Sequence, residues 1–486
     1  MNDQMFRGDE ELVILRPSET ERTYAEFVRC FVDEGIYFPF GERDELPEGL
    51  PEDLGRVKCL MMDAKTRTIL ESGSAATVLR RFMEEGGQVY VPDPKIQVGG
   101  ALGYFAAMHN VQRVICCSGL TPRHPKMLER MRGRDEAKLV TAWRSAAVEE
   151  FRQYEGMKHY FGDPIGFITL RACDEAADFF HDPSYLEPGD RYLSAHYLSF
   201  GTAQGERTGG RYLLKFHERT GRKDILDQVV AYERKPKLWR QDGVHLNMDL
   251  HVPEGMDPNK PPKRILDNAW IWPEAGADLG DTWGYLSKVT GDPSWAEMAV
   301  RHVTKAFLWL YNPANGLIMH IGRPGGPDLR SAPWGRGIAW YLYSVRGLLD
   351  DLPESHPARP ELCRILKTVL DGLLRYQDEY GLWHNVVDAS VVDSRPCASA
   401  TSRFLHVYAR AYNKGWLRDE RIPEMVEKAW VGLKTKIWEN GLIAFCVGTS
   451  YSLSRQVYLS RPHHTFRSSR SEMLINWMER ERMKSV

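Results

Sequence analysis

Apolar and polar residues follow two different rhythms along the chain, and the change falls near residue 137. Between residues 11 and 117, short apolar runs (ELVILR, IYFPF, RVKCLMMD, QVYVPD, VQRVICC) take turns with amphipathic segments (TYAEFVRCFVDEG, SAATVLRRFMEEGG, GALGYFAAMHN). Strand and helix signals in alternation predict a small α/β domain over residues 1–130 with a largely parallel sheet, flavodoxin-like or amidotransferase-like in its layering. Cys117 follows the last of these runs without a nucleophile elbow or a histidine partner, and VGGALG lacks dinucleotide-binding spacing. Packing, regulation or homo-oligomerisation is the expected task of this domain.

After the charged connector MLERMRGRDEAK the pattern is helical almost throughout, as in LVTAWRSAAVEEFRQY, WAEMAVRHVTKAFLWL, IAWYLYSVRGLLDDL and ELCRILKTVLDGLLRYQ. A weak repeat runs through it. GVHLN, GLIMH, GLWHN and GLIAF begin at Gly243, Gly316, Gly381 and Gly441, at intervals of 73, 65 and 60 residues, and each follows a helix and a polar turn. Thr220-Gly221 and Thr290-Gly291 echo one another 70 residues apart. Recurrence at such a period marks a repeated supersecondary unit. Residues 137–486 accommodate six helical hairpins, and their closure into an (α/α)6 toroid places the hairpin ends around one funnel. The expected class is therefore mainly α, a toroid preceded by the small α/β domain.

Composition narrows the chemistry. Lysine and arginine number 64 against 66 aspartates and glutamates, a net charge of −2, so neither nucleic acid nor an anionic membrane is an expected partner. The first residues hold no apolar core of signal-peptide length, and a cytoplasmic location is expected. Eight cysteines without paired spacing argue against zinc and disulfides, and no cofactor motif is present. Fourteen tryptophans and 21 tyrosines suit a core and also suit a carbohydrate site, where aromatic faces meet sugar rings.

Three stretches carry candidate chemistry. In AWIWPEAGAD, Glu274 and Asp278 lie four apart, so a helix starting near Pro273 puts both on one face below Trp270 and Trp272. His320 and His384 close GLIMH and GLWH at equivalent points of successive repeats, as candidate acid/base or hydroxyl-binding groups. In WGRGIAW, Arg336 stands at a predicted helix N-terminus, where free N–H groups and a guanidinium favour an anion. Trp334 and Trp340 flank it as candidate stacking rings.

From about Asp267 to the C-terminus these motifs resemble the unsaturated uronyl hydrolases, glycoside hydrolase families 88 and 105. Those are (α/α)6 barrels with W-x-R-G-(N/Q)-(G/A)-W where this chain has Trp334 to Trp340, departing at Ile338. GLIMH, GLWHNVVD, Ser399 to Thr401 and ENGLIAFCVGT fall in the family order. The resemblance implies an enzyme acting on oligosaccharides that carry a Δ4,5-unsaturated uronyl residue at the non-reducing end. Glu274 matches the catalytic aspartate, with Asp278 as its rival. Arg336 is matched to the uronate carboxylate, Trp334, Trp340 and Trp272 to the ring, and His320 and His384 to hydroxyls or water. Cys397 stands where the family has an acid, and the paired-aspartate motif has become QGERTGG, with Glu206 its remaining carboxylate. Two other readings stand beside this one: another toroidal carbohydrate enzyme (a saturated-uronide hydrolase, an epimerase or a lyase), and a non-catalytic carbohydrate-binding protein.

Overall fold

The computed structural model describes residues 12–15, 40–43, 59–62, 76–84, 88–90, 136–154, 164–199, 210–235, 238–246, 252–253, 255–390, 394, 396–437, 443, 446–447, 452–459, 463–464 and 469–485. In the N-terminal region, β1 (Leu12–Leu15), β2 (Phe40–Arg43), β3 (Cys59–Met62) and β4 (Gln88–Tyr90) form a sheet of order β2-β1-β3-β4. All three pairings are parallel. A helix, Ala76–Glu84, connects β3 to β4, with Leu79 and Phe82 buried. The predicted helix in TYAEFVRCFVDEG, the glycines of VGGALG and Cys117 lie outside the described residues.

The described residues from Glu136 onward are mainly helical, with short two-stranded pairs, and the long helices alternate between an outer and an inner layer. The outer helices are α1 (Glu136–Tyr154), α3 (Leu186–His196), α5 (Lys223–Arg234), α7 (Pro293–Leu310), α9 (Arg359–Leu373) and α11 (Arg421–Lys434). The inner ones are α2 (Pro164–Phe180), α4 (Gly210–Thr220), α6 (Glu274–Thr290), α8 (Gly335–Asp351), α10 (Ala398–Asn413) and α12 (Ser469–Met483). The sequence distinguishes the layers. α9 buries Leu362, Ile365, Leu366, Val369, Leu370 and Leu373, a single helical face, whereas α8 is buried without interruption from Gly335 to Leu349. Among the described residues, α2, α4, α6, α8, α10 and α12 each touch the next, and α12 touches α2, so the ring closes.

Glycines set the tightest seam. A Cβ at Gly280 would lie 2.3 Å from the Ser344 carbonyl oxygen, and one at Gly347 would lie 2.8 Å from Cα of Asp281, so α6 and α8 run parallel with their backbones almost touching. The repeat seen in the sequence is a turn signal. Gly221 and Gly291 follow α4 and α6 with φ of 71° and 72°. Gly243, Gly316 and Gly381 lie in turns on the way back to the inner layer, with φ of 85°, 75° and 88°. Each adopts the left-handed backbone that L side chains resist. After Gly291, Asp292 caps α7 by accepting from the Ser294 amide at 3.0 Å, and Pro293 occupies the first turn.

Buried ions hold the far end of the ring. Asp281 accepts from Arg346 at 2.6 Å and from Arg171 at 3.2 and 3.3 Å, with Arg211 close by. Arg410 of α10 reaches Asp350 of α8, Glu479 of α12 and Glu175 of α2. Burial works against the Asp281 carboxylate, but the three guanidiniums outweigh it and hold its pKa down at about 2. No described helix is long and apolar enough to cross a membrane.

Candidate active site

Because inner and outer helices alternate, every outer-to-inner connection arrives at the same end of the ring, opposite this ionic floor. The connection before α6 brings Trp270 to Glu274. Ile271 exchanges two backbone hydrogen bonds with Gly322, at 2.8 and 3.0 Å, and Pro273 then starts the helix, so Glu274 is its first residue. Trp272 is buried against Trp270, their ring centroids 4.7 Å apart. The Glu274 side chain is 24% exposed, against 2% for its partner His320.

His320 meets Glu274 from the neighbouring connection. Its Nε2 lies 3.0 Å from both Glu274 oxygens, and its Nδ1 lies 2.7 Å from the Tyr458 hydroxyl. The ring stands edge-on to Trp334, centroids 4.6 Å apart. Tyr458 is itself anchored: its Oη accepts from the Ser452 amide at 2.8 Å and donates to the Ser452 carbonyl at 3.0 Å. Asn385 locks the frame, accepting from the Trp334 indole at 2.7 Å and donating to the Tyr458 carbonyl at 2.6 Å. One half-open carboxyl thus faces a fully positioned imidazole.

Arg336 lies in the first turn of α8, 5% exposed, with its guanidinium 4.7 Å from the centre of the Trp334 ring. Trp340, one turn deeper, carries the Arg403 guanidinium at 4.3 Å, and Arg403 donates to Glu472 at 2.9 Å. Burial raises the Glu472 pKa, against the lowering charges of Arg403 and Arg336. Arg336, Trp340, Arg403 and Glu472 thus form a buried, positively biased group that meets the Glu274 cluster at the Trp334 ring.

Several expectations need revision. Trp334 is wholly buried between His320 and Arg336, so it presents no face to a sugar and acts as the support of both. His384 does not join His320: its Nδ1 meets the Ser394 carbonyl and its Nε2 the Asp378 carboxylate at 3.1 Å, which commits both nitrogens to the loop. Asp378 also caps the Tyr380 and Leu382 amides, at 2.9 and 2.8 Å, so His384 belongs to a turn rather than to the cluster. Ile338 is packed in the core, 1% exposed. Cys397 is buried and precedes α10, its sulfur 3.4 Å from the Ser399 hydroxyl. Glu206 and the side chain of Asp278 lie outside the described residues. Asn385, adjacent to His384 in the repeat, was within reach of the sequence. Tyr458, Arg403 and Glu472 were not, since no local pattern ties them to the motifs.

With this geometry in view, residues 282–484 match the model of Glycosyl Hydrolase Family 88. The match begins just after Glu274 and takes in His320, Trp334, Arg336 and Tyr458. The resemblance to families 88 and 105 is thereby borne out. Among curated proteins, the chain is 27% identical over 178 residues to an unsaturated 3S-rhamnoglycuronyl hydrolase of Alteromonas sp. (strain LOR), covering 36% of this chain and 43% of the relative. It is 23% identical over 211 residues to one of Formosa agariphila, covering 42% and 55%. The chain therefore spans about half the length of the curated relatives it matches. A solved structure described as a possible member of family 105, from Klebsiella pneumoniae, superposes with a TM-score of 0.60 at 17% identity, covering 73% of this chain and 95% of that one. The unsaturated glucuronyl hydrolase of Bacillus sp. GL1 does so at 0.51 and 14%, covering 71% and 97%. These two likenesses establish a shared fold.

Proposed function

We propose that the chain is a glycoside hydrolase that removes a Δ4,5-unsaturated uronyl residue from the non-reducing end of an oligosaccharide. The observation that carries this reading is the half-open Glu274 carboxyl held by His320 at the mouth of the ring, with the buried guanidinium of Arg336 packed on the same Trp334 ring as that histidine. In a hydration mechanism one carboxyl suffices. Glu274 delivers its proton to C4 of the enol ether as the C4=C5 double bond opens, and water attacks C5, giving a proton back to Glu274. The resulting hemiketal opens and releases the neighbouring sugar. A pair of spaced carboxylates, as used in ordinary glycoside hydrolysis, is not required.

Arg336 is assigned to the uronate carboxylate, where a desolvated guanidinium gains most from a bidentate anion. The curated relatives' names support the substrate class, a glycuronyl residue carrying the unsaturation. In the same proposal residues 137–486 form the catalytic domain and residues 1–130 a separate α/β domain.

The test is spectroscopic. Wild-type protein incubated with a panel of unsaturated di- and trisaccharides is expected to remove the ultraviolet absorbance of the enol ether. Glu274→Gln is expected to bind the same sugars without removing it. A folded wild-type protein that leaves the whole panel unchanged overturns the assignment.

A further inference from the structure

The hydrogen bonds behind His320 bear on where its proton resides. A tyrosine hydroxyl has one hydrogen to donate and two lone pairs to accept with. At Tyr458 the Ser452 amide donates to one lone pair at 2.8 Å, and the hydroxyl hydrogen is directed at the Ser452 carbonyl, 3.0 Å away. His320 Nδ1, at 2.7 Å, faces the other lone pair and meets it as a donor. In a neutral imidazole, a proton on Nδ1 leaves Nε2 with a lone pair. That lone pair points between the two Glu274 oxygens, both at 3.0 Å.

We infer that Tyr458 is a positioning residue which, through the backbone of Ser452, keeps a proton on His320 Nδ1, so that Nε2 faces Glu274 and the two groups share the one proton exchanged in the reaction. The inference rests on the assignment of Glu274 as the proton donor. With Nδ1 protonated, Nε2 and the carboxyl carry one proton between them, either as a carboxylic acid donating its O–H to Nε2 or as an imidazolium donating Nε2–H to the carboxylate. If the hydroxyl hydrogen turned instead to Nδ1, the part-buried Ser452 carbonyl would lose this donor. His320 ends the reaction as it began: Glu274 gives a proton to carbon, recovers one from the attacking water, and the imidazole orients that proton throughout. The indole of Trp334 and the amide of Asn385 hold the imidazole and the tyrosine backbone in register for this role.

Tyr458→Phe tests it, because the ring that stands edge-on to His320 at 5.4 Å is retained and only the hydroxyl is lost. With 15N-histidine-labelled protein, the signal that disappears in His320→Gln is expected to show Nδ1–H in the wild type and Nε2–H in Tyr458→Phe. The variant's kcat is expected to fall roughly 10²- to 10⁴-fold, the usual share of general acid catalysis, with KM nearly unchanged. A wild-type signal of the Nε2–H form, or a variant with unaltered tautomer and kcat, overturns the inference. The wild-type spectrum decides the matter even if the variant fails to fold. It also reads the tautomer whether or not any sugar is turned over, so failure of the hydrolase assignment is distinguished from failure of this one.

Discussion

A Cβ on residue 337 would lie 2.6 Å from Cδ2 of His320, so the histidine occupies the space that Gly337 leaves empty. The second glycine of WGRGIAW is therefore a seat for the imidazole. Gly337→Ala is expected to push the ring away from Glu274, lowering kcat by on the order of 10²-fold through misplacement. Its cost in folding stability should be about 1–3 kcal/mol, the usual range for overpacking. Turnover measured beside urea unfolding separates the two effects.

Arg336→Lys keeps the charge but loses the flat guanidinium that lies over Trp334. A lysine ammonium cannot grip a carboxylate through two parallel hydrogen bonds. KM for an unsaturated uronide should rise at least about tenfold, equivalent to about 1.4 kcal/mol, while a substrate with an esterified carboxyl should be far less affected. Steady-state kinetics on the two substrates checks this.

Asp281→Asn removes the charge that Arg171, Arg211 and Arg346 share in the floor of the ring. Guanidiniums left buried without their carboxylate are strongly destabilising, and a loss of about 3–5 kcal/mol is expected in chemical denaturation. Binding at the mouth should change little in whatever fraction remains folded.

His406 is wholly buried on α10, its ring 5.5 Å from that of Tyr343. Burial, together with the charges of Arg346, Arg171 and Arg410, lowers its pKa well below 6.5, and Glu175 opposes the shift weakly. The unfolded chain therefore takes up this proton first as pH falls. The stability His406 contributes is complete above about pH 6.5 and is lost below it, by at most about 1.4 kcal/mol per pH unit. Asp351 acts with the opposite sign: burial raises its pKa to about 6, so its contribution is present below 3.8 and lost as pH rises through 6. Comparing His406→Gln with the wild type cancels the Asp351 term. The variant's melting temperature should decline less steeply between about pH 6.5 and 5.

Much of this architecture was legible in the sequence because it rests on local rules. The Thr-Gly and Gly-Leu echoes mark left-handed turns, and those turns divide the ring into its hairpins. The uninterrupted burial of α8 against the one-sided face of α9 separates wall from outer layer. Glu274 was readable from Pro273, whose fixed φ suits the start of a helix. What escaped was pairing across the ring. Tyr458 reaches His320 from 138 residues away, and Arg403 meets Glu472 at a separation of 69. His384 misled because it lies three residues after Gly381 where His320 lies four after Gly316; the matching offset belongs to Asn385, and Asp378, six residues before His384, claims the ring. Trp334 misled because an aromatic beside an arginine reads as a sugar platform until its burial is known.

The closing seam of the ring has a kinetic consequence. Arg480 of α12 pairs with Glu136 of α1 across 344 residues, and Arg482 with Glu175 across 307. Contacts of such span form late, because chain entropy must be overcome before they contribute. During synthesis the helices up to α11 emerge while the apolar flanks of α2 and α10 still await α12. The site at the mouth is therefore among the last features to assemble on the ribosome, and a nascent chain stalled before residue 469 is an open arc whose uncovered flanks invite aggregation.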